Sequence, residues 1–251
     1  MLHTENRTKE RILLIGPPGA GKSTAWLKIA QLAQTTQSPA QFWVGDTDLA
    51  VTRMLESEYP SLANVRLHTL FDWPDYMRFV DTVRQQSQPD DWVIIDLLDP
   101  AWEAVQSYYI QQVFGEDIDS FFLEHRKNMK KGEGALDGWK DWGVINKMYK
   151  AFSNKLFFGI DRHILATAKV EKVSEQDTKE VRSIYGPYGV KPKGQKETSH
   201  AFHTVMLLTF AKPGEWYINT IKDRGRAPYS GTLINNFALD YLIKVAGWKM
   251  M

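Results

Sequence analysis

Gly16-Pro17-Pro18-Gly19-Ala20-Gly21-Lys22-Ser23 sets three glycines, a lysine and a hydroxyl within eight residues. Each type has a use if the ligand carries phosphate. Glycines let the main chain curl until successive N–H groups point inward around anionic oxygens. Lys22 can meet outer phosphates as a point charge, and the Ser23 hydroxyl can complete the shell of a Mg²⁺ ion. The flanks agree with that use. Arg11 to Ile15 is a short apolar run that reads as a buried strand. After the loop, Trp26, Ile29, Ala30 and Ala33 fall at i, i+3, i+4 and i+7, one face of a helix. A helix starting there adds its partial positive charge beneath the phosphates.

The loop fits G-x-x-x-x-G-K-[ST] in its required setting, strand before and helix after. Gly16, Pro17, Pro18, Gly19, Ala20, Gly21, Lys22, Ser23 and Thr24 are therefore the candidate binding residues for ATP, with Mg²⁺ as its companion. Trp92-Val93-Ile94-Ile95-Asp96 is an apolar strand ending in an acid. A carboxylate at that edge of a central strand lies beside the phosphate loop and holds Mg²⁺ through water. Asp96 is preferred to Asp99 because it directly ends the strand, so Ser23 and Asp96 are the candidate metal residues. Gln41 to Asp48 is a strand ending in two acids, Asp46 and Asp48. Hydrolysis needs a carboxylate to orient and polarise water, and Asp48 is taken for it with Asp46 left open. In Ile221 to Pro228, Lys222 and Arg224 are two cations one residue apart, and in extended chain they point the same way. So placed they can reach across a subunit boundary toward a neighbour's phosphates.

These residues need a sheet to hold them. Strand-like segments recur at Arg11–Ile15, Gln41–Gly45, Val65–His68, Trp92–Ile95 and His163–Ala168, with helical stretches between. That alternation predicts an α/β fold, a mostly parallel sheet with helices on both faces. Pro74–Gln86 and Asp141–Phe158 read as helices, the second capped by Asp141 and ended by Gly159. His203–Phe210 and Glu215–Ile221, joined by Lys212-Pro213-Gly214, predict an antiparallel hairpin, and Ile234–Ala246 a closing helix. Two segments resist the pattern and are expected to be loops: His125–Gly138, which is basic, and Lys169–His200, which is long and polar.

Composition bounds the rest. The chain has 251 residues, 43% hydrophobic and 24% charged, within the range of ordinary globular proteins. With no internal repeat or low-complexity linker, residues 1–251 are expected to form one domain. A net charge of +1 provides no overall basic field, so any nucleic-acid surface must be local. The absence of cysteine excludes disulfides and thiolate metal sites. His200 and His203 lack a visible third ligand and read as strand histidines. No apolar run is long enough to span a bilayer and the start is polar, so a cytoplasmic protein without a membrane partner is expected.

The phosphate loop, the acid-ending strands and the late Lys222–Pro228 segment together resemble RecA-like recombinase and helicase ATPases. The Trp142 helix, the His163–Ala168 strand and the Lys222–Pro228 segment are similar, more narrowly, to short phage-encoded relatives that act in single-strand annealing and recombination. The resemblance spans roughly Arg11 to Pro228. It implies a RecA-like ATPase of a phage-infected cell, working on single-stranded DNA as a homo-oligomer with shared active sites. Under it Asp48 takes the place of a catalytic glutamate, with a shorter side chain. Lys222 and Arg224 take the place of a finger pair acting in trans, and Thr167 or Lys169 that of a γ-phosphate sensor. The two long loops take the places of DNA-contacting loops.

Lys169–His200 carries Lys172, Lys179, Arg182, Lys191, Lys193 and Lys196 with Tyr185 and Tyr188 among them, a mixture suited to single strands, although five acids dilute it. Two other readings stay open. One is a small-molecule P-loop kinase with Asp48 on the acceptor hydroxyl. The other is a nucleotide switch that assembles on ATP and hardly hydrolyses it.

Overall fold

The computed structural model describes residues 9–128, 135–137, 140–212, 215–226, 232–233 and 237–247. The chain runs β1 (Arg11–Ile15), α1 (Lys22–Thr35), β2 (Phe42–Asp46), α2 (Ala50–Ser57), β3 (Val65–Thr69), α3 (Trp73–Gln86) and β4 (Trp92–Asp96). It continues through α4 (Pro100–Phe114), α5 (Ile118–Asn128), α6 (Asp141–Phe158), β5 (His163–Ala168), β6 (Val170–Lys172), α7 (Lys179–Tyr185) and β7 (Val190–Pro192). Last come β8 (Thr204–Lys212), β9 (Glu215–Asp223), β10 (Thr232–Leu233) and a π-helical turn, Ala238–Ile243.

Eight strands form one sheet in the order β10-β9-β8-β1-β5-β4-β2-β3. The run from β8 to β3 is parallel throughout, and β9 and β10 add antiparallel pairs at the far edge. This is the expected α/β architecture, closed by the expected hairpin. Alternation along the strands builds the two cores. Ile12, Leu14, Trp92 and Ile94 pack against α1 and the π-helical turn. Leu13, Ile15, Val93 and Ile95 pack against α3, α4 and α6. Helix α3 starts on a reciprocal cap, in which Asp72 accepts from the Asp75 N–H and Asp75 from that of Asp72.

Four local expectations are corrected. His125 to Asn128 are not loop but the last turn of α5. Cations at a helix C-terminus oppose its negative end, which reconciles the basic run with helix; residues 129–134, 138 and 139 lie outside the described ones. Lys169–His200 carries structure of its own, the β6–β7 pair and α7, whose Thr178 side chain caps the helix by accepting from the Val181 N–H. The N-cap of α6 is Lys140, while Asp141 accepts from the Asp137 N–H and the Tyr109 hydroxyl. Of the closing helix, Ala238–Ile243 is a π-helical turn, and residues 234–236 lie outside the described ones.

Candidate active site

Strand β1 has neighbours on both sides, β5 and β8, each reached by a crossover, so the loop that leaves its C-terminal end opens into a crevice at the carboxyl edge of the sheet. The loop has no room for side chains on its sheet side. A Cβ on Gly16 would stand 2.5 Å from the Leu208 carbonyl oxygen of β8. Gly21, at φ +81°, is the N-cap of α1 and provides no side-chain cap, which leaves the first N–H groups of that helix directed at the crevice. Lys22 is 9% exposed, and its ammonium donates back to the loop carbonyls of Gly16 at 2.8 Å and Pro17 at 3.0 Å. Burial pushes the Lys22 ammonium below the ordinary lysine value, opposed first by Asp96 and then by Asp99.

Asp96 ends β4 beside this loop, 3% exposed. Its Oδ2 accepts from Trp26 Nε1 at 2.9 Å, and its Oδ1 accepts from the Thr167 hydroxyl at the end of β5. Thr47 braces the same strand end: its N–H donates to the Asp96 carbonyl at 2.9 Å and its hydroxyl accepts from the Leu97 N–H at 2.8 Å. The structure thus brings Gly16 to Thr24, Asp96 and Thr167 to one edge. Asp48 follows β2 at the same edge, exposed, its Oδ1 accepting from the Ala50 N–H at 3.1 Å. Asp46 is fully buried and accepts from the N–H groups of Asp48 and Thr52, each at 3.3 Å. Burial above all raises its carboxyl above the usual range. Asp99 is buried with its Oδ1 on the Lys169 N–H at 3.0 Å, tying the segment after β5 to the end of β4.

Lys222 and Arg224 are elsewhere. Strand β8 runs parallel to β1, and β9 returns antiparallel with Asp223 opposite Thr204, the first residue of β8. Both cations therefore sit at the amino edge of the parallel strands, a strand length from the phosphate loop. Lys222 donates to the Ser199 carbonyl at 3.0 Å and Arg224 reaches that of His200 at 3.5 Å. Burial and then Arg224 push the Lys222 ammonium down to about 8.

The reverse holds at the hairpin's other end, which sequence reasoning did not place. Phe210 and Trp216 are cross-strand partners, and their rings cover the phosphate loop, Phe210 3.7 Å from a Cβ built on Gly19 and Trp216 Nε1 3.2 Å from one on Gly21. Trp216, Thr24, Lys28, Leu208 and Phe237 line a groove that continues from the loop along α1. A wider, mostly apolar cavity is lined by Asp119, Phe122, Leu123, Arg126 and Ala135, none of them from this edge of the sheet.

The donor set fits a nucleoside triphosphate with Mg²⁺: an uncapped helix N-terminus, a glycine loop that lies too close to β8 at Gly16 to admit a Cβ, an ammonium, and a fixed carboxylate. Ser23 and Asp96 would hold the metal, which supplies charge neutralisation at the phosphate oxygens when bound. Among the described residues no group of three His, Asp or Glu forms a metal site of another kind, and no helix is long and apolar enough to cross a membrane. A family model described as an AAA domain, AAA_24, matches residues 8–219, most of the chain. No curated protein matches it.

Proposed function

Because the chain belongs to the AAA_24 family of AAA domains and is thus a P-loop AAA-type ATPase, we propose that it binds ATP with Mg²⁺ at Gly16–Thr24 and hydrolyses it. The observation that carries this reading is the convergence of Lys22, the uncapped start of α1 and Asp96 in one crevice. Lys22 neutralises the outer phosphates, having only loop carbonyls to give up. Thr167 is held on the metal-side carboxylate, where a hydroxyl can follow the state of the last phosphate. Asp48 is an exposed acid of this edge, just past the strand that follows the phosphate-loop helix, and takes the water-orienting role. Its engagement at the start of α2 also favours a second reading, a nucleotide switch with slow turnover.

The placement of Lys222 and Arg224 supports their action on a neighbouring copy, since a strand length separates them from the loop of their own chain. Mixing Arg224→Ala and Lys22→Ala proteins tests this: regained hydrolysis supports shared sites, and none despite subunit exchange refutes them.

The DNA-directed part of the proposal draws on the exposed cations Lys172, Lys179, Arg182 and Lys196, on the segment that Asp99 ties to the site. It draws nothing from Lys191, paired with Glu171 and Asp177, from Lys193, paired with Glu103, or from buried Tyr185. ATPase assays with and without single-stranded DNA, beside a screen of phosphoryl acceptors, separate the readings. Stimulation by DNA supports the proposal, phosphate found on an acceptor replaces it with a kinase, and tight binding with negligible turnover favours the switch.

A further inference from the structure

We propose that Trp26 is a positioning residue for Asp96, fixing the carboxylate in the orientation that meets hydrated Mg²⁺; this rests on the nucleotide-binding reading above. Trp26 lies in α1, fully buried, and its Nε1 donates to Asp96 Oδ2 at 2.9 Å. An indole N–H is a donor only, so the bond has one direction and needs an acceptor in that place. Thr167 holds the second oxygen, and Thr47 holds the main chain on both sides of the same peptide unit. The carboxylate is thereby fixed from three elements, α1, β5 and the end of β2. Two carboxylate oxygens offer about four acceptor positions, so roughly two remain for the water shell of a metal.

A packing explanation competes, because any buried indole N–H seeks a partner. The chain contains its own comparison. Trp43 Nε1 donates to Asp91 Oδ2 at 2.9 Å, an equal bond at the opposite edge of the sheet. Asp91 also accepts from the N–H groups of Gln41 and Gln88, both at 2.8 Å, so it pins strand ends together. The carboxylate oxygens of Asp96 have no such main-chain donors among the described bonds, and they face the field of Lys22. The same pair thus serves structure at one edge and orientation at the other.

The test is ATP affinity by calorimetry across a Mg²⁺ series, for the wild type, Trp26→Phe and Trp43→Phe. Losing the partner of a direct metal ligand typically costs 10–100-fold in metal affinity. Asp96 meets the metal through water, so Trp26 stands one shell further out and the low end of that range applies. Trp26→Phe should therefore need about 10-fold more Mg²⁺ to reach half of its affinity gain, with ATP affinity in EDTA unchanged. Trp43→Phe should lower the melting temperature and leave the Mg²⁺ midpoint where it was. If Trp26→Phe does not fold, β-(3-benzothienyl)alanine at position 26 keeps the bicycle and removes only the N–H. An unmoved Mg²⁺ midpoint, or an equal loss with and without metal, overturns the proposal while leaving nucleotide binding intact. Wild-type binding that ignores Mg²⁺ overturns the nucleotide–metal reading itself.

Discussion

Replacing Gly16 with alanine tests how closely the hairpin strand backs the phosphate loop. The added Cβ would stand 2.5 Å from the Leu208 carbonyl oxygen and 3.1 Å from Ala20 Cβ, where ordinary contact begins at 3.4 Å. The obstacle is main chain. Leu208 belongs to β8, whose register with β1 puts Ile15 opposite Leu207, so the oxygen cannot swing away as a side chain would. Overpacking of this kind costs about 1–3 kcal/mol. For a chain of this size, that lowers the melting temperature by about 2–4 °C per kcal/mol. Because relief requires the loop to lift from β8, ATP affinity should fall with stability. Gly115→Ala is the control. Gly115 ends α4 at φ +75° with nothing within 4 Å of its Cβ position, so that change carries only the left-handed backbone cost of about 1–2 kcal/mol. Urea unfolding and ATP titration on both variants decide the matter. The reasoning fails if Gly16→Ala matches the wild type in both, or if Gly115→Ala weakens ATP binding as much.

Asp48→Asn and Asp96→Asn should fail differently. The first should keep Mg²⁺-dependent ATP binding and lose about 10²–10⁴ in turnover, as expected for an acid–base group. The second should fold, because the amide oxygen can stay on Trp26 while its NH₂ turns to the Thr167 hydroxyl, which can rotate to accept; it should lose the Mg²⁺-dependent part of binding. Normal turnover in Asp48→Asn would pass the role to Asp46 or Asp99. Lys222, held down to about 8, binds fewer protons folded than unfolded between that value and the ordinary lysine pKa. Its cost to stability is complete below pH 8 and disappears as pH rises toward the ordinary lysine value. Lys222→Met should therefore be more stable than the wild type at neutral pH, with the gap closing above pH 8; a gap that is independent of pH refutes this.

Much of this site could be read in the sequence because its parts are local. A glycine-rich loop needs its own eight residues and two flanks, and Asp96 needs only the apolar run before it. What escaped depends on distant pairings. Trp26 declared its helix face by periodicity, but periodicity does not say where the polar edge of an indole points, and its acceptor is 70 residues away. Trp216 covers Gly21 because the β8–β9 register, with its bulges, sets it there. Other misses were legible in principle. Thr178 ahead of Lys179, Glu180 and Val181 is an N-cap pattern hidden inside a segment read as loop. The cations from His125 to Lys127 fit the end of a helix as well as they fit a basic loop.

The central claim is that ATP is bound and hydrolysed at the loop containing Lys22. The most direct measurement is steady-state release of inorganic phosphate from Mg²⁺–ATP by purified wild-type and Lys22→Ala proteins, with folding of both confirmed by circular dichroism. Lys22 holds only the carbonyls of Gly16 and Pro17, so its removal should leave the fold intact. The account predicts phosphate release by the wild type and none above background by the folded variant. Equal turnover by the two proteins would contradict it.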